Sequence, residues 1–129
     1  MNYGISQLSI VPMRSETSDK SEMINQILFG EHFKILEERK KWSRIRLAHD
    51  SYEGWICNKQ LLKISEEDYQ QLDKDISTLT TDILDIITKE KHQPIVIGSI
   101  LPFYKSGHAN INNEMYKFNG LTTPGYVKK

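Results

Sequence analysis

Cys57 is the chain's single cysteine, and four histidines, His32, His49, His92 and His108, are scattered along it. A cysteine hydrolase needs a thiolate activated by a neighbouring histidine or a helix N-terminus. Cys57 instead follows Trp55 by two positions in a stretch that reads as a strand, where cysteine behaves as a small packing hydrophobe. The histidines show no i, i+4 pair and no Cys or carboxylate at ligand spacing, whereas a zinc site needs three or four convergent ligands. Neither a metal nor a cofactor is expected. Gly-rich phosphate loops and a Gly-x-Ser-x-Gly elbow are absent from the sequence as well.

What remains is chemistry for recognition. Arg14-Ser15-Glu16 and Asp50-Ser51-Tyr52-Glu53-Gly54-Trp55 lie far apart in sequence. In a small barrel, the loop after the first strand and the turn before the last converge at one groove. A carboxylate at Glu16 suits a ligand amine, through a charge-assisted hydrogen bond of about 1.5–3 kcal/mol when partly desolvated. Tyr52 and Trp55 each offer a flat apolar face with one polar handle. Plainer readings stand beside these: Trp55 fits half-buried core rather better than a groove wall, Glu16 suits a turn cap, and Trp42 reads as packing. The candidate ligand-binding residues are Glu16, Tyr52, Arg14 and Trp55.

The elements that would position them are short strands. Tyr3 to Met13 has mixed alternation, Met23 to Phe29 is apolar, and Gly30 supplies a bend. His32 to Leu36 alternates and leads to a charged tip at 37–41; Ser43 to Leu47 alternates cleanly, with Ile45 and Leu47 inward and Arg44 and Arg46 outward. Tyr52 to Cys57 completes five strands separated by regular turns, which predicts a small barrel. Ser65 then fits an N-cap with Asp68 at N3, and Tyr69, Leu72 and Ile76 follow at helical spacing, predicting a short helix over 66–74. Beyond residue 78 the strand signal returns, at Ile83–Thr88, Pro94–Ile97, Ile100–Tyr104 and Glu114–Phe118. The expected fold is mainly β: two small barrels in tandem, 1–63 and 78–129, joined by a short helix within 64–77.

Composition agrees with two small units. Of 129 residues 38% are apolar, low for one large core, and a 60-residue unit buries only about 60% of its unfolded surface, so such units are expected to pack on each other. Lys plus Arg equals Asp plus Glu at 17 each, which argues against a duplex-binding basic face. One cysteine excludes an internal disulfide framework. The first 25 residues hold no apolar run of signal-peptide length, and nothing approaches the roughly 20 apolar residues that span a bilayer. A soluble, cytoplasmic chain is the expectation, with neither membrane nor nucleic acid as partner.

Pro12-Met13-Arg14-Ser15-Glu16, Ser21-Glu22-Met23, Gln26-Ile27-Leu28-Phe29-Gly30-Glu31, Trp42-Ser43-Arg44-Ile45-Arg46 and Tyr52-Glu53-Gly54-Trp55-Ile56 together resemble a bacterial SH3 (SH3b) domain. The likeness is to the SH3b domain at the front of NlpC-family cysteine peptidases, γ-D-glutamyl-L-diamino acid endopeptidases that cleave murein peptides. Pro94-Ile95-Val96-Ile97-Gly98-Ser99-Ile100-Leu101-Pro102 resembles, with weaker motifs, the second SH3b domain of the same proteins. The family's catalytic Asp-Cys-Ser-Gly motif does not occur in this sequence. The resemblance therefore implies a non-catalytic module that works with an NlpC-type catalytic domain in cis or in trans. It also implies that an acidic residue and a tyrosine bind the free amino end of an L-Ala-γ-D-Glu peptide; Glu16 and Tyr52 are the matching positions. The alternative is a free-standing SH3b module for peptidoglycan or a protein partner. A nucleic-acid-binding barrel and a stand-alone cysteine enzyme fit less well.

Overall fold

Strict alternation in Trp42–Leu47 dictates a strand with one buried face, and Ser43, Ile45 and Leu47 are buried while Arg44 and Arg46 point outward. The same logic runs through the first half of the chain in the computed structural model, which describes residues 2–75, 77–81, 85–87 (backbone only), 92–118 and 120–124. Strands β1 (Asn2–Ile5), β2 (Ile10–Arg14), β3 (Met23–Leu28), β4 (His32–Glu38), β5 (Trp42–Leu47), β6 (Glu53–Cys57) and β7 (Leu62–Ile64) form one antiparallel sheet. Its order is β3-β2-β6-β5-β4-β1-β7.

Two features depart from the expected five-strand barrel. The stretch 3–13 divides into β1 and β2, because the chain leaves the sheet at Ser6: the Ser6 hydroxyl donates to the Leu8 carbonyl, and its backbone exchanges bonds with Gly30 and Glu31. Leu62–Ile64, not expected as a strand, pairs with β1 and extends the edge. The sheet is open, with β3 and β7 at its ends.

Helix α1 (Glu66–Lys74) has the predicted limits. Ser65 Oγ accepts the Asp68 N–H at 3.0 Å, satisfying one of the donors a helix start leaves orphaned. Tyr69 and Leu72 form its buried stripe; Ile76 lies outside the described residues. Tyr69 stacks on Tyr3 at 4.4 Å between ring centres and meets His32 edge-on at 5.1 Å. His32 Nε2 lies 2.8 Å from Asp73 Oδ1, so β4 and α1 are tied by a polar contact as well.

The second half is less regular. Strands β8 (Thr78–Thr80) and β13 (Thr122–Pro124) pair with each other, while β9 (Asp85–Ile87), β10 (His92–Pro94), β11 (His108–Ile111) and β12 (Glu114–Lys117) form a four-stranded antiparallel sheet. The expected hairpin of 83–88 with 94–97 is displaced: β9 pairs with His92–Pro94, so the second strand takes up His92 and Gln93 of the expected loop and only Pro94 of the expected strand, while 83, 84 and 88 lie outside the described residues. Residues 95–99 turn instead: the Val96 carbonyl accepts from Ser99 N, Ser99 Oγ and Thr80 Oγ1, and Gly98 has φ +90°. The expected strand 100–104 is only an isolated bridge at Ile100, because Pro102 lacks an N–H and Phe103 takes φ 51°. Glu114–Lys117 falls where expected.

Two cores result. Val11, Met13, Ile27, Phe33, Ile35, Ile45, Leu47 and Ile56 fill the first, inside the seven-stranded sheet. The second is shared: Ile5 and Phe29 of the first unit and Leu72 of α1 join Ile95, Leu101, Ala109, Ile111, Tyr116 and Phe118. As expected for units too small to be stable alone, the halves are packed together. The joint is tight at Gly30, whose φ is +84° and whose missing Cβ would stand 1.9 Å from the Ile100 carbonyl oxygen. Ile100 N–H donates to the Phe29 carbonyl at 2.8 Å across the same joint.

Candidate functional site

Strand β2 meets β6 through one residue pair, Arg14 opposite Trp55. Such an approach needs a small residue beside it, and Gly54 supplies that. A Cβ there would lie 3.1 Å from both Met13 Cε and Ile24 Cδ1, and 3.3 Å from the Arg14 carbonyl. Past Arg14 the chain enters the loop 15–22, at the end of the pair where β6 begins. Glu16 and Tyr52 therefore sit at the same end of the β2–β6 pair as Arg14 and Trp55, though no hydrogen bond joins them among the described residues.

The loop holds itself. Ser15 N–H donates to the Glu22 carbonyl at 3.0 Å, Ser18 N–H to the Glu16 carbonyl at 2.9 Å, and Ser21 N–H and Oγ to the Ser18 carbonyl at 3.1 and 2.7 Å. Glu16 thus serves the turn with its backbone carbonyl, which also accepts from Ser21 Oγ at 3.2 Å. Its carboxylate is exposed and makes no bond to any described residue. The two sequence readings of Glu16 are compatible: the backbone shapes the turn and the side chain stays available. Arg14 Nη1 donates to the Ser21 carbonyl at 3.2 Å, pinning the loop from below, while its Nε is buried without a protein acceptor.

Trp55 corrects the preference for core. The inward residues of β6 are Gly54 and Ile56, both buried, so Trp55 lies on the outer face, half-buried. There Arg39 covers the ring at 4.6 Å from its centre, a cation–π contact, and Arg14 and Arg44 flank it on the two neighbouring strands. Tyr52 is 42% exposed. Its N–H donates to Asp50 Oδ1 at 3.0 Å and its carbonyl accepts from Leu47 N–H at 2.9 Å, fixing the turn without using the phenol. Trp42 is half-buried, opposite Cys57 on β6.

Sequence reasoning missed the charge ladder beside the site. Glu53 takes Arg44 Nη1 at 2.9 Å and Arg46 Nη2 at 2.8 Å, and Glu37 takes Arg39 Nε at 2.7 Å. The signal was present: Arg44 and Arg46 share a strand face, and in an antiparallel register Glu53 comes opposite Arg46. These pairs are solvent-exposed and worth about 0–1 kcal/mol each; their effect is to hold Arg39 and Arg44 around Trp55.

Cys57 is half-buried and free, and no hydrogen bond joins it to a histidine among the described residues. No cluster of three or more His, Cys, Asp or Glu at metal-holding geometry occurs among the described residues, and no described helix is long and apolar enough to cross a membrane.

Comparison with known proteins agrees with this architecture. Residues 13–61 match the family model described as the bacterial dipeptidyl-peptidase SH3 domain. Comparison with curated proteins gave no match. Among solved structures, the crystal structure of an NlpC/P60 family protein from Bacillus cereus ATCC 10987 superimposes with a TM-score of 0.70 at 11% identity. The alignment covers 95% of this chain, which spans 57% of that protein's length. Residues 13–61 thus carry the features of a bacterial SH3 domain of the dipeptidyl-peptidase type, and nearly the whole chain shares the fold of part of an NlpC/P60 family protein.

Proposed function

We propose that this chain is a non-catalytic recognition module of a bacterial cell-wall hydrolase, and that its SH3 unit binds the free amino end of a murein peptide, L-Ala-γ-D-Glu. The observation that carries the reading is the coincidence of the family match with the site. The matched residues 13–61 include Arg14, Glu16, Tyr52 and Trp55, and the β2–β6 pairing sets Arg14 opposite Trp55, with Glu16 and Tyr52 each two or three positions along the chain from that pair. Glu16 offers an unpaired carboxylate to the peptide ammonium. Tyr52 offers an exposed phenol, and Trp55, stiffened by Arg39, offers an apolar wall. Cleavage belongs to an NlpC-type catalytic domain, in cis or in trans, that closes over this face. The reading places the tandem units, 1–63 and 78–129, in the cytoplasm, where released wall peptides are re-used.

Calorimetry with L-Ala-γ-D-Glu tests it. Binding to the module alone is expected to be weak, and Glu16→Ala or N-acetylation of the peptide is expected to weaken it about three- to tenfold, the size of one partly screened charge-assisted bond. Equal affinity of the free and acetylated peptides would remove Glu16 from the role. Strong retention on intact cell walls with no catalytic partner would favour a free-standing wall-binding module instead.

A further inference from the structure

A second concave surface, which shares no lining residue with the first site, lies between the first turn of α1 and the β11–β12 hairpin, with a volume of about 750 Å³. That is within the range of about 300–1,000 Å³ typical of small-ligand sites. Asp68, in the first turn of α1, lines it together with Lys105 and His108 from the start of the β11–β12 hairpin. Phe103 and Met115 supply apolar surface between them, and Met115 is 50% exposed. Asp68 and Lys105 form no ion pair with each other or with any described residue, so the cleft presents two opposite charges with nothing to neutralise them. His108 Nδ1 faces the Ser106 carbonyl at 3.0 Å and must carry the proton there, which leaves Nε2 in the neutral ring as an acceptor.

The backbone around the cleft is distinctive. Lys105–His108 and Ile111–Glu114 are tight turns whose central residues have positive φ: Ser106 52° and Gly107 79°, Asn112 50° and Asn113 67°. Paired positive φ values are what two-residue hairpin turns require. Phe103 is different. It follows Pro102 at a turn position that favours Gly or Asn, yet it holds φ 51° with a bulky side chain, a conformation that costs about 1–2 kcal/mol. Strain of this kind collects at ligand sites, and Phe103, packed against the second core, also lines the cleft.

We propose that this cleft binds a short peptide with both ends free, its ammonium on Asp68 and its carboxylate on Lys105. An internal peptide N–H donates to His108 Nε2, and the side chains lie on Phe103 and Met115. The site is separate from that of Glu16 and Tyr52 and does not depend on it.

The test is an amide-resolved NMR titration of the full chain with tri-alanine, against tri-alanine blocked by N-acetylation and C-amidation. Saturable shifts confined to the amides of 65–68 and 103–115 are expected, with the blocked peptide weaker by about tenfold or more. Lys105→Gln and Asp68→Asn are each expected to weaken tri-alanine about threefold or more. Lys105 is exposed, so its variant keeps the fold and an unchanged spectrum elsewhere verifies this. Glu16→Ala is expected to leave this titration as it was, which separates failure here from failure of the proposed murein-peptide site. Absence of saturable shifts, equal response to the blocked peptide, or wild-type binding by both cleft variants would overturn the assignment.

Discussion

Replacing Gly30 by alanine is the sharpest test of how the two halves are joined. The new methyl would meet the Ile100 carbonyl oxygen at 1.9 Å and its carbon at 2.6 Å, both backbone atoms with no side-chain freedom to yield. The residue would also be held at φ +84°, which costs an L-residue about 1–2 kcal/mol. Relief requires the 100–101 segment to move away, and that segment donates the Ile100 N–H to the Phe29 carbonyl, a bond worth about 1 kcal/mol net. These two contributions set a floor of about 2–3 kcal/mol. If the segment takes the second core with it, Phe29, now fully buried, loses part of a further 1.5–3 kcal/mol or so. The expected loss is therefore about 2–5 kcal/mol, a large share of the roughly 5–15 kcal/mol that holds a domain together.

The assay can separate the halves, because Trp42 and Trp55 both belong to the seven-stranded sheet. Urea unfolding followed by tryptophan fluorescence reports the first unit, and amide exchange in β11 and β12 reports the second. In Gly30→Ala the β11–β12 amides are expected to exchange at lower urea than the tryptophan transition, whereas in the parent the two coincide. A variant within about 0.5 kcal/mol of the parent, with coincident probes, would refute the idea that the Phe29–Gly30 turn docks the second unit.

Three other perturbations have directions set by the structure. Ser65→Ala removes the Oγ that accepts the Asp68 N–H and is expected to cost about 1 kcal/mol by chemical denaturation; a neutral result would mean that water caps the helix equally well. Burial raises the Glu31 carboxyl above its ordinary 4.5, more than the Leu28 N–H bond to it lowers it. The unfolded chain therefore releases this proton first, and the stability contributed falls as pH rises through and above 4.5. Glu31→Gln keeps an oxygen for Leu28, so its stability relative to the parent should improve with pH across that window, and a pH-independent difference would contradict this. Burial, with Asp73 nearby, pushes the Tyr69 phenol up to about 12. Its proton is retained longer in the folded state, so this contribution is intact below pH 10 and lost as pH rises toward 12; ultraviolet titration that shows every tyrosine ionised by pH 10.5 or so would be incompatible with it.

How much of this was legible depended on which force set each element. Ser43–Leu47 and His32–Leu36 could be read because one buried face imposes a period of two, and the start of α1 could be read because Ser65 caps it with Asp68 at N3. The division of 3–13 could not, because it rests on backbone bonds from Ser6 to Gly30 and Glu31, long-range partners that periodicity does not encode. Residues 94–104 misled for a related reason. Ile95 and Leu101 are apolar because they enter a core, but they do so from turns held by Ser99 and Thr80 side chains rather than from strands. At the candidate site, the four residues were chosen by type, and Trp55's outward face was not legible, since an aromatic satisfies either side of a half-buried strand.

The residues most specific to the SH3 likeness divide by task. Phe29 and Gly30 join the two halves of the chain, Glu31 Oε1 closes the turn on Leu28 N–H at 2.6 Å, and Gly54 lets β6 lie against Met13 and Arg14. The contacts that fix Phe29, Gly30 and Glu31 do not involve Glu16 or Tyr52. The loop 15–22, by contrast, is held almost wholly by serine and backbone bonds of its own plus one from Arg14. A frame that is rigid for reasons independent of its loop can present different loop chemistry without refolding. The physical basis for reading recognition into this chain is therefore the separation itself: sterically demanding positions fix the sheet, and the polar groups left without a partner stand at its rim.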